Sequence, residues 1–433
     1  MARRGAVKRR AWSDLPADLL AAIYLRCSPP YDRARFAAVC RSWRAAASWQ
    51  PARPPLPLLF SWTGDRKRDR NIRAYNPVDG RALRVLLPKI LRGKKFVGSY
   101  DGGWVAATSR RERDSQLLIV NLFSMVQVAL SDNQRSIVCA CPDAFEEPDN
   151  ARTSRAPVVK VIFSDDPTSS GCILAAITKR CKIALCRVGS SGEATLCLCC
   201  RLTTQDFRRS LNPSPENIWT TRGCGLYAER ELVDIAFCNG QLFGLMVGGC
   251  DLYKYRIDLN EGAPVITLVY QIHQMPFVHV PRWDYCPRYI FELCGKLAVV
   301  SEANSALKGY ESCFFKVFEL MNEATPGRYT WAEVTTLGEH ALFLGPQSYK
   351  LVHVPTAGRH GRLEENRIYY HMRQQENLAR HKECLTKLGL GSCSVYRENR
   401  GMNQCMETIT SEGYHFKDDN GNGCMWLLPS ELC

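Results

Sequence analysis

Most of this chain repeats one unit: a strand-like run, a tight turn containing glycine, and a second strand-like run. Val97–Ala107, Asp234–Leu245 and Tyr289–Val300 are three copies. A further strand-like run follows each of them, at Gln116–Phe123, Leu252–Leu259 and Phe314–Leu320. The pattern recurs without a clear turn at Cys172–Ile177 and Lys182–Val188. The copies are degenerate and recur at roughly 45–65 residues, the range of antiparallel propeller blades. The region 60–433 is therefore expected to be all-β, and a β-propeller is the preferred architecture. At about 50 residues per blade, six to eight blades are expected, with seven preferred. A pair of β-sandwiches is the competing architecture; the strand–glycine–strand unit favours the propeller. One helical exception is Glu376–Leu388, where Leu378, Leu385 and Leu388 have helical spacing; it would decorate a late blade.

The first 49 residues follow a different period. Pro16, Leu19, Leu20 and Ile23 fall on one face of a helix, with Ser13 and Asp14 available as caps, Pro16 suited to the first turn and Asp18 near the positive end of the dipole. Ser28-Pro29-Pro30 breaks the chain, and Phe36, Val39, Cys40, Trp43 and Ala47 then mark a second helical face. About 40 residues with so few large apolar groups make a marginal core, which points to a partner covering part of the surface. Residues 50–59 hold four prolines and read as a stiff linker. The expected organisation is a basic disordered tail at 1–10, a helical module at 11–49, the linker at 50–59 and the β domain at 60–433.

Apolar residues make up 45% of the 433 and charged residues 23%, which excludes wholesale disorder. No apolar run approaches the roughly 18 residues needed to span a bilayer. The net charge is +14, and residues 1–50 supply half of it with ten basic and three acidic side chains. Arg3, Arg4, Lys8, Arg9 and Arg10 form a cluster that reads first as a solvated tail, and otherwise as a nuclear-import signal or a phosphate-contacting arm. The 21 cysteines are an odd number without a secretory leader, so a reducing compartment and mostly buried thiols are expected. The expected location is the cytoplasm, the nucleus or both.

Metal and catalytic motifs are weak. Cys197 and Cys200, with Cys199 between them, have zinc-knuckle spacing but no second pair of ligands, so a strand is the better reading. Asp418-Asp-Asn-Gly-Asn-Gly opens like a calcium loop, yet Pro429 stands where a bidentate Glu is needed, and a tight hairpin turn is expected instead. No G-x-S-x-G elbow, phosphate loop or H-E-x-x-H occurs. His340, beside Glu339, reads as structural. Arg66–Arg70 and Arg110–Asp114 mix basic with acidic residues and read as loop tips, without the interleaved aromatics of an RNA-binding surface. No cofactor, no metal and no catalytic residue is expected.

Two resemblances add to this reading. Trp12-Ser-Asp-Leu-Pro-Ala-Asp-Leu-Leu-Ala-Ala-Ile and Ala37-Ala-Val-Cys-Arg-Ser-Trp-Arg resemble the opening and close of an F-box, while the middle, Cys27–Phe36, departs from its Leu-rich pattern. Leu337-Gly-Glu-His-Ala-Leu-Phe-Leu-Gly, Asn366-Arg-Ile-Tyr-Tyr and the closing Trp426-Leu-Leu-Pro-Ser resemble the plant KIB-type β-propeller domain; Ser348–Arg362 matches its equivalent stretch poorly. The resemblance implies a non-catalytic substrate-recognition subunit of a cullin-type ubiquitin ligase. Its F-box would dock on a Skp-type adaptor, and through it a cullin, while the propeller holds an unidentified protein substrate. Carried over by motif, the docking residues are Leu15, Pro16, Leu19, Leu20, Ile23, Val39, Cys40 and Trp43. Trp43 suits a binding hot spot, and equally the packing of the two helices on one another. The alternatives are a basic nuclear scaffold associated with nucleic acid, and a propeller enzyme with an unrecognised central site.

Overall fold

The computed structural model describes residues 12, 15–27, 36–37, 39–48, 56–62, 71–77, 80, 82–109, 116–131, 134–135, 137–139, 154–155, 157–178, 183–188, 220–222, 232–246, 252–260, 263–272, 279–280, 283–305, 315–322, 329–354, 363–371, 395–399, 409–416 and 423–429. The Arg3–Arg10 cluster, Arg66–Arg70, Arg110–Asp114, Cys197–Cys200 and Glu376–Leu388 lie outside them.

Among the described residues, two short helices precede the strands: α1, Ala17–Arg26, and α2, Arg41–Ser48. The cap of α1 is Pro16 rather than Ser13 or Asp14. Its φ of −53° and ψ of 147° leave it extended, and the first helical bond runs from the Leu20 amide to the Pro16 carbonyl at 3.1 Å. A proline that enters the helix extended starts it one residue later than the sequence suggests.

The strand–glycine–strand units are antiparallel hairpins. Lys94–Tyr100 pairs with Trp104–Ser109, Leu232–Cys238 with Gln241–Met246, and Trp283–Leu293 with Lys296–Ser305. At the Asn239-Gly240 and Cys294-Gly295 tips both residues have positive φ (48° and 73°; 48° and 81°), the geometry that matches the twist of a two-residue hairpin. The turnless unit forms a hairpin too, Ile173–Thr178 with Ile183–Arg187. The linker ends earlier than expected: Leu58–Trp62 is already a strand.

Among the described residues the strands form six sheets of three to five strands and one two-stranded ribbon. Inner strands of these sheets touch in turn around a closed ring. Gly98 lies against Val161. Lys160 forms a buried ion pair with Asp234, whose other oxygen accepts the Ile290 amide at 3.2 Å. The Phe291 and Tyr349 rings stand 5.4 Å apart. The hydroxyls of Ser348 and Ser99 both donate to the Trp426 carbonyl, at 2.9 and 3.1 Å. The circle closes out of sequence order, through antiparallel strand pairing: Leu58–Trp62 pairs with Gly423–Leu427, joining the first strand of the β domain to the last. This ring is what a propeller requires and a pair of sandwiches does not supply.

Packing between neighbouring sheets explains the sequence pattern. Ala106, Ala107, Ala175, Ala176, Ala298 and Ala341 are fully buried, and their small side chains let sheets approach on both faces. Strands covered on both faces read as continuous apolar runs rather than alternating ones. Contact at the hub is tightest at Gly98, where an added Cβ would sit 2.0 Å from the Val161 carbonyl oxygen. Gly98→Ala must push two inner strands apart, and an expected loss of about 2–3 kcal/mol follows. Thermal denaturation of the full chain checks this; an unchanged midpoint would mean the strands do not meet there.

Two local expectations change. Asp418–Asn422 lie outside the described residues, and the strands on either side do not pair with one another: Thr410–Phe416 lies in the last sheet and Gly423–Leu427 pairs with Leu58–Trp62 in the first. The last sheet also contains two parallel pairings, Ala341–Leu344 with Arg367–Tyr370 and Arg367–His371 with Thr410–Tyr414.

Candidate adaptor-docking surface

The two helices bury little. Among the described residues of the module, Leu20, Phe36 and Ala46 form the buried core, with Leu15, Ile23, Tyr24, Cys27, Trp43 and Ala47 packed partly against it. The Phe36 ring sits 5.3 Å edge-on from Tyr24 and 4.4 Å from Trp43. The indole nitrogen of Trp43 donates to the Trp12 carbonyl at 3.1 Å, tying the residue ahead of α1 to α2.

This packing divides the candidate residues. Leu20 is 1% exposed and belongs to the core of the module, so any effect it has on docking is indirect. Leu15, Ile23 and Trp43 are half-buried supports. Leu19 and Val39 are 49% and 56% exposed, and Pro16 is exposed as well. Leu19 and Leu20 are neighbours, and only the position of α2 shows which of them faces inward. Two exposed apolar residues stand outside the motif-derived set: Trp12, at 74%, and Leu25. Trp12 heads the F-box-like motif, so its place in the motif could have flagged it.

Cys40 precedes α2, and its carbonyl accepts the Arg44 amide at 3.0 Å. Its sulfur lies 3.0 Å from the Ser42 hydroxyl. The Ser42 hydroxyl first, and the Trp43 amide next, hold this thiol below its ordinary range. The buried thiols of the β domain behave oppositely: burial pushes Cys172 and Cys238 up to about 11 and Cys186 up to about 12. They act as small apolar side chains.

Elsewhere, His340 is half-buried with its ring 5.6 Å edge-on from His353, and His353 Nε2 lies 2.9 Å from Glu339 Oε2. Among the described residues, no group of three His, Cys, Asp or Glu side chains could hold a metal ion. Among them, too, no helix is long and apolar enough to cross a membrane.

Residues 12–49 match a family model described as F-box-like, and residues 74–397 match one described as KIB1-4 beta-propeller. No curated protein matches the chain. The second match covers most of the sequence and spans most of the ring of sheets, so the chain belongs to the KIB1-4 β-propeller family and carries an F-box-like module ahead of its propeller.

Proposed function

We propose that this chain is the substrate-recognition subunit of a Skp–cullin–F-box type ubiquitin ligase. An F-box joined to a propeller fits such an adaptor in general, and these families are typically non-catalytic. In this reading the helical module docks on a Skp-type adaptor, which links it to a cullin, and the propeller holds a protein substrate. The observation that carries it is the exposure of the apolar side chains of Pro16, Leu19 and Val39 on a module whose described residues bury Leu20, Phe36 and Ala46. Fully burying a Leu or Val side chain is worth about 1.5–3 kcal/mol, so covering this face stabilises a complex and the module together.

Co-purification with a Skp-type adaptor and a cullin tests the proposal. Leu19→Asp/Val39→Asp is expected to weaken adaptor capture by about a hundredfold or more, because both side chains are exposed and neither supports the helices. Leu15→Ala/Pro16→Ala is expected to act in the same direction, partly by loosening α1. Capture that survives Leu19→Asp/Val39→Asp in the folded chain would remove this face from the interface. A folded natural chain that captures no adaptor would overturn the ligase reading and bring the basic-scaffold alternative forward.

A further inference from the structure

Three turns of two neighbouring sheets meet at one end of the ring. The inner strands Lys94–Tyr100 and Val158–Phe163 run side by side in the same direction: Gly98 lies against Val161, and the Tyr100 and Phe163 rings stand 5.9 Å apart. The turns that follow them, residues 101–103 and 164–172, therefore lie at the same end. A third turn joins them there, because Trp104, just after Gly103, stands opposite Asn121, the last residue of Leu118–Asn121. The Asn121 side chain donates to the Gly102 carbonyl at 2.8 Å, and its oxygen accepts the Phe123 and Ser124 amides, each at 3.0 Å. The Leu122 amide bonds the Gly103 carbonyl at 3.0 Å. The residues that flank the three turns, Trp104, Val128, Phe163 and Cys172, share one buried cluster.

This surface is apolar on one turn and acidic on the next. Met125 is 53% exposed and Val126 49%, both in the turn after Asn121. Met125 has a φ of 60°, a left-handed backbone ordinarily taken by glycine or asparagine. The Met125 amide bonds the Asn121 carbonyl at 3.0 Å and the Asn121 amide bonds the Val126 carbonyl at 2.8 Å, so the turn holds both side chains in water. On the neighbouring sheet Asp165 is exposed and Asp166 half-buried. The bonds they accept are local, from the Asp166 amide at 2.7 Å and the Thr168 amide at 2.8 Å. Neither pairs with a cation among the described residues. Arg187, beside this turn, donates its Nε to the Ser170 carbonyl at 3.0 Å. Asp101 is already ion-paired with Lys350 at 2.5 Å, so the charge left to a partner is that of Asp165 and Asp166. Burial first, and then the Asp165, Asp101 and Asp166 carboxylates, raise the Tyr100 phenol above its ordinary range, which gathers all three around one ring.

We infer that this surface, built on Met125, Val126, Asp165 and Asp166, docks a protein segment in which lysine or arginine side chains flank aliphatic ones. Exposed Met and Val call for an apolar counterpart, and the unbranched Met side chain adapts to partners of different shape. The two carboxylates select a cationic flank and repel nucleic acid. The net charge of +14 does not reverse this, because charges act over only about 8 Å at physiological ionic strength. This gives a chemistry to the substrate that the propeller is proposed to hold. Binding of such a segment needs no adaptor, so failure of adaptor docking and failure of this surface are told apart.

Fluorescence anisotropy of a short fluorescein-labelled peptide, with lysines flanking a leucine pair, is titrated with the full chain at about 100 mM salt. Saturable binding is expected, about tenfold tighter than for the same peptide with glutamates for lysines or serines for leucines. Met125→Gly/Val126→Ser removes the apolar contact while glycine suits the left-handed position, and should weaken binding by about tenfold. Asp165→Asn/Asp166→Asn keeps the oxygens that accept the local amides and removes the charge, and should weaken it by about fivefold. Each pair is read on its own, so the other decides if one variant melts below the natural chain. Absence of saturable binding, or binding that neither pair weakens, would overturn the inference. Tightening by about fivefold on removal of residues 2–10 would make the chain's own basic start the occupant, and would overturn it too.

Discussion

Trp426→Ala is expected to destabilise the propeller by about 3–5 kcal/mol, among the largest losses a single truncation can cause here. Trp426 is fully buried on the strand that closes the ring. Its ring stands 4.9 Å edge-on from Phe343, and its Nε1–H donates to the Leu344 carbonyl at 2.9 Å. Its own carbonyl accepts from Ser348 and Ser99, which lie on the sheets to either side. Truncation therefore opens a cavity at the seam and leaves the Leu344 carbonyl without its donor. Trp426→Phe separates the two effects: it keeps most of the volume and loses the donor, and should cost about 1–3 kcal/mol. Chemical denaturation of the full chain reads both. An alanine variant within about 1 kcal/mol of the natural chain would show that the ring is not held through this strand.

Asp234→Ala is expected to cost about 3–5 kcal/mol, by another route. The Lys160–Asp234 pair is buried, and the variant would leave Lys160 buried without its counter-ion. Asp234 also accepts the Ile235 amide at 2.9 Å and the Ile290 amide at 3.2 Å, so one carboxylate joins strands of three successive sheets. Removing both charges together, in Lys160→Met/Asp234→Leu, should recover part of the loss but not all. The buried charge is then gone, while two amides remain without their acceptor, at about 1–3 kcal/mol each. Full recovery in the double variant would mean that the carboxylate serves only as a counter-ion. A double variant as weak as Asp234→Ala would mean that the amide bonds dominate.

Features that depend on neighbours in sequence were readable without the structure. The glycine turns at Asn239-Gly240 and Cys294-Gly295 are where the hairpins turn, because a two-residue turn needs left-handed backbone that few residues adopt. The helical period before the prolines placed α1 and α2, and the F-box-like and KIB-type motifs led to the families that the chain matches. The site was only half legible. Periodicity put Leu19 and Leu20 on one apolar stripe, whereas the packing of α2 buries Leu20 and leaves Leu19 in water.

What the sequence determined by itself is the character of each segment: helical or extended, apolar or basic, turning or continuing. These follow from interactions within a few residues, where the spacing of side chains and the freedom of the backbone decide the outcome. What only the tertiary structure decided is which segments meet. Gly423–Leu427 could have folded back on Thr410–Phe416 across a short turn, and it pairs instead with Leu58–Trp62. Asp234 could have been any acid in a strand, and Lys160, 74 residues away, makes it part of the hub. Arg73 and Arg84 stand opposite one another through strand register alone. Each of these depends on closing a long loop, whose entropic cost must be met by packing that no local stretch of sequence contains.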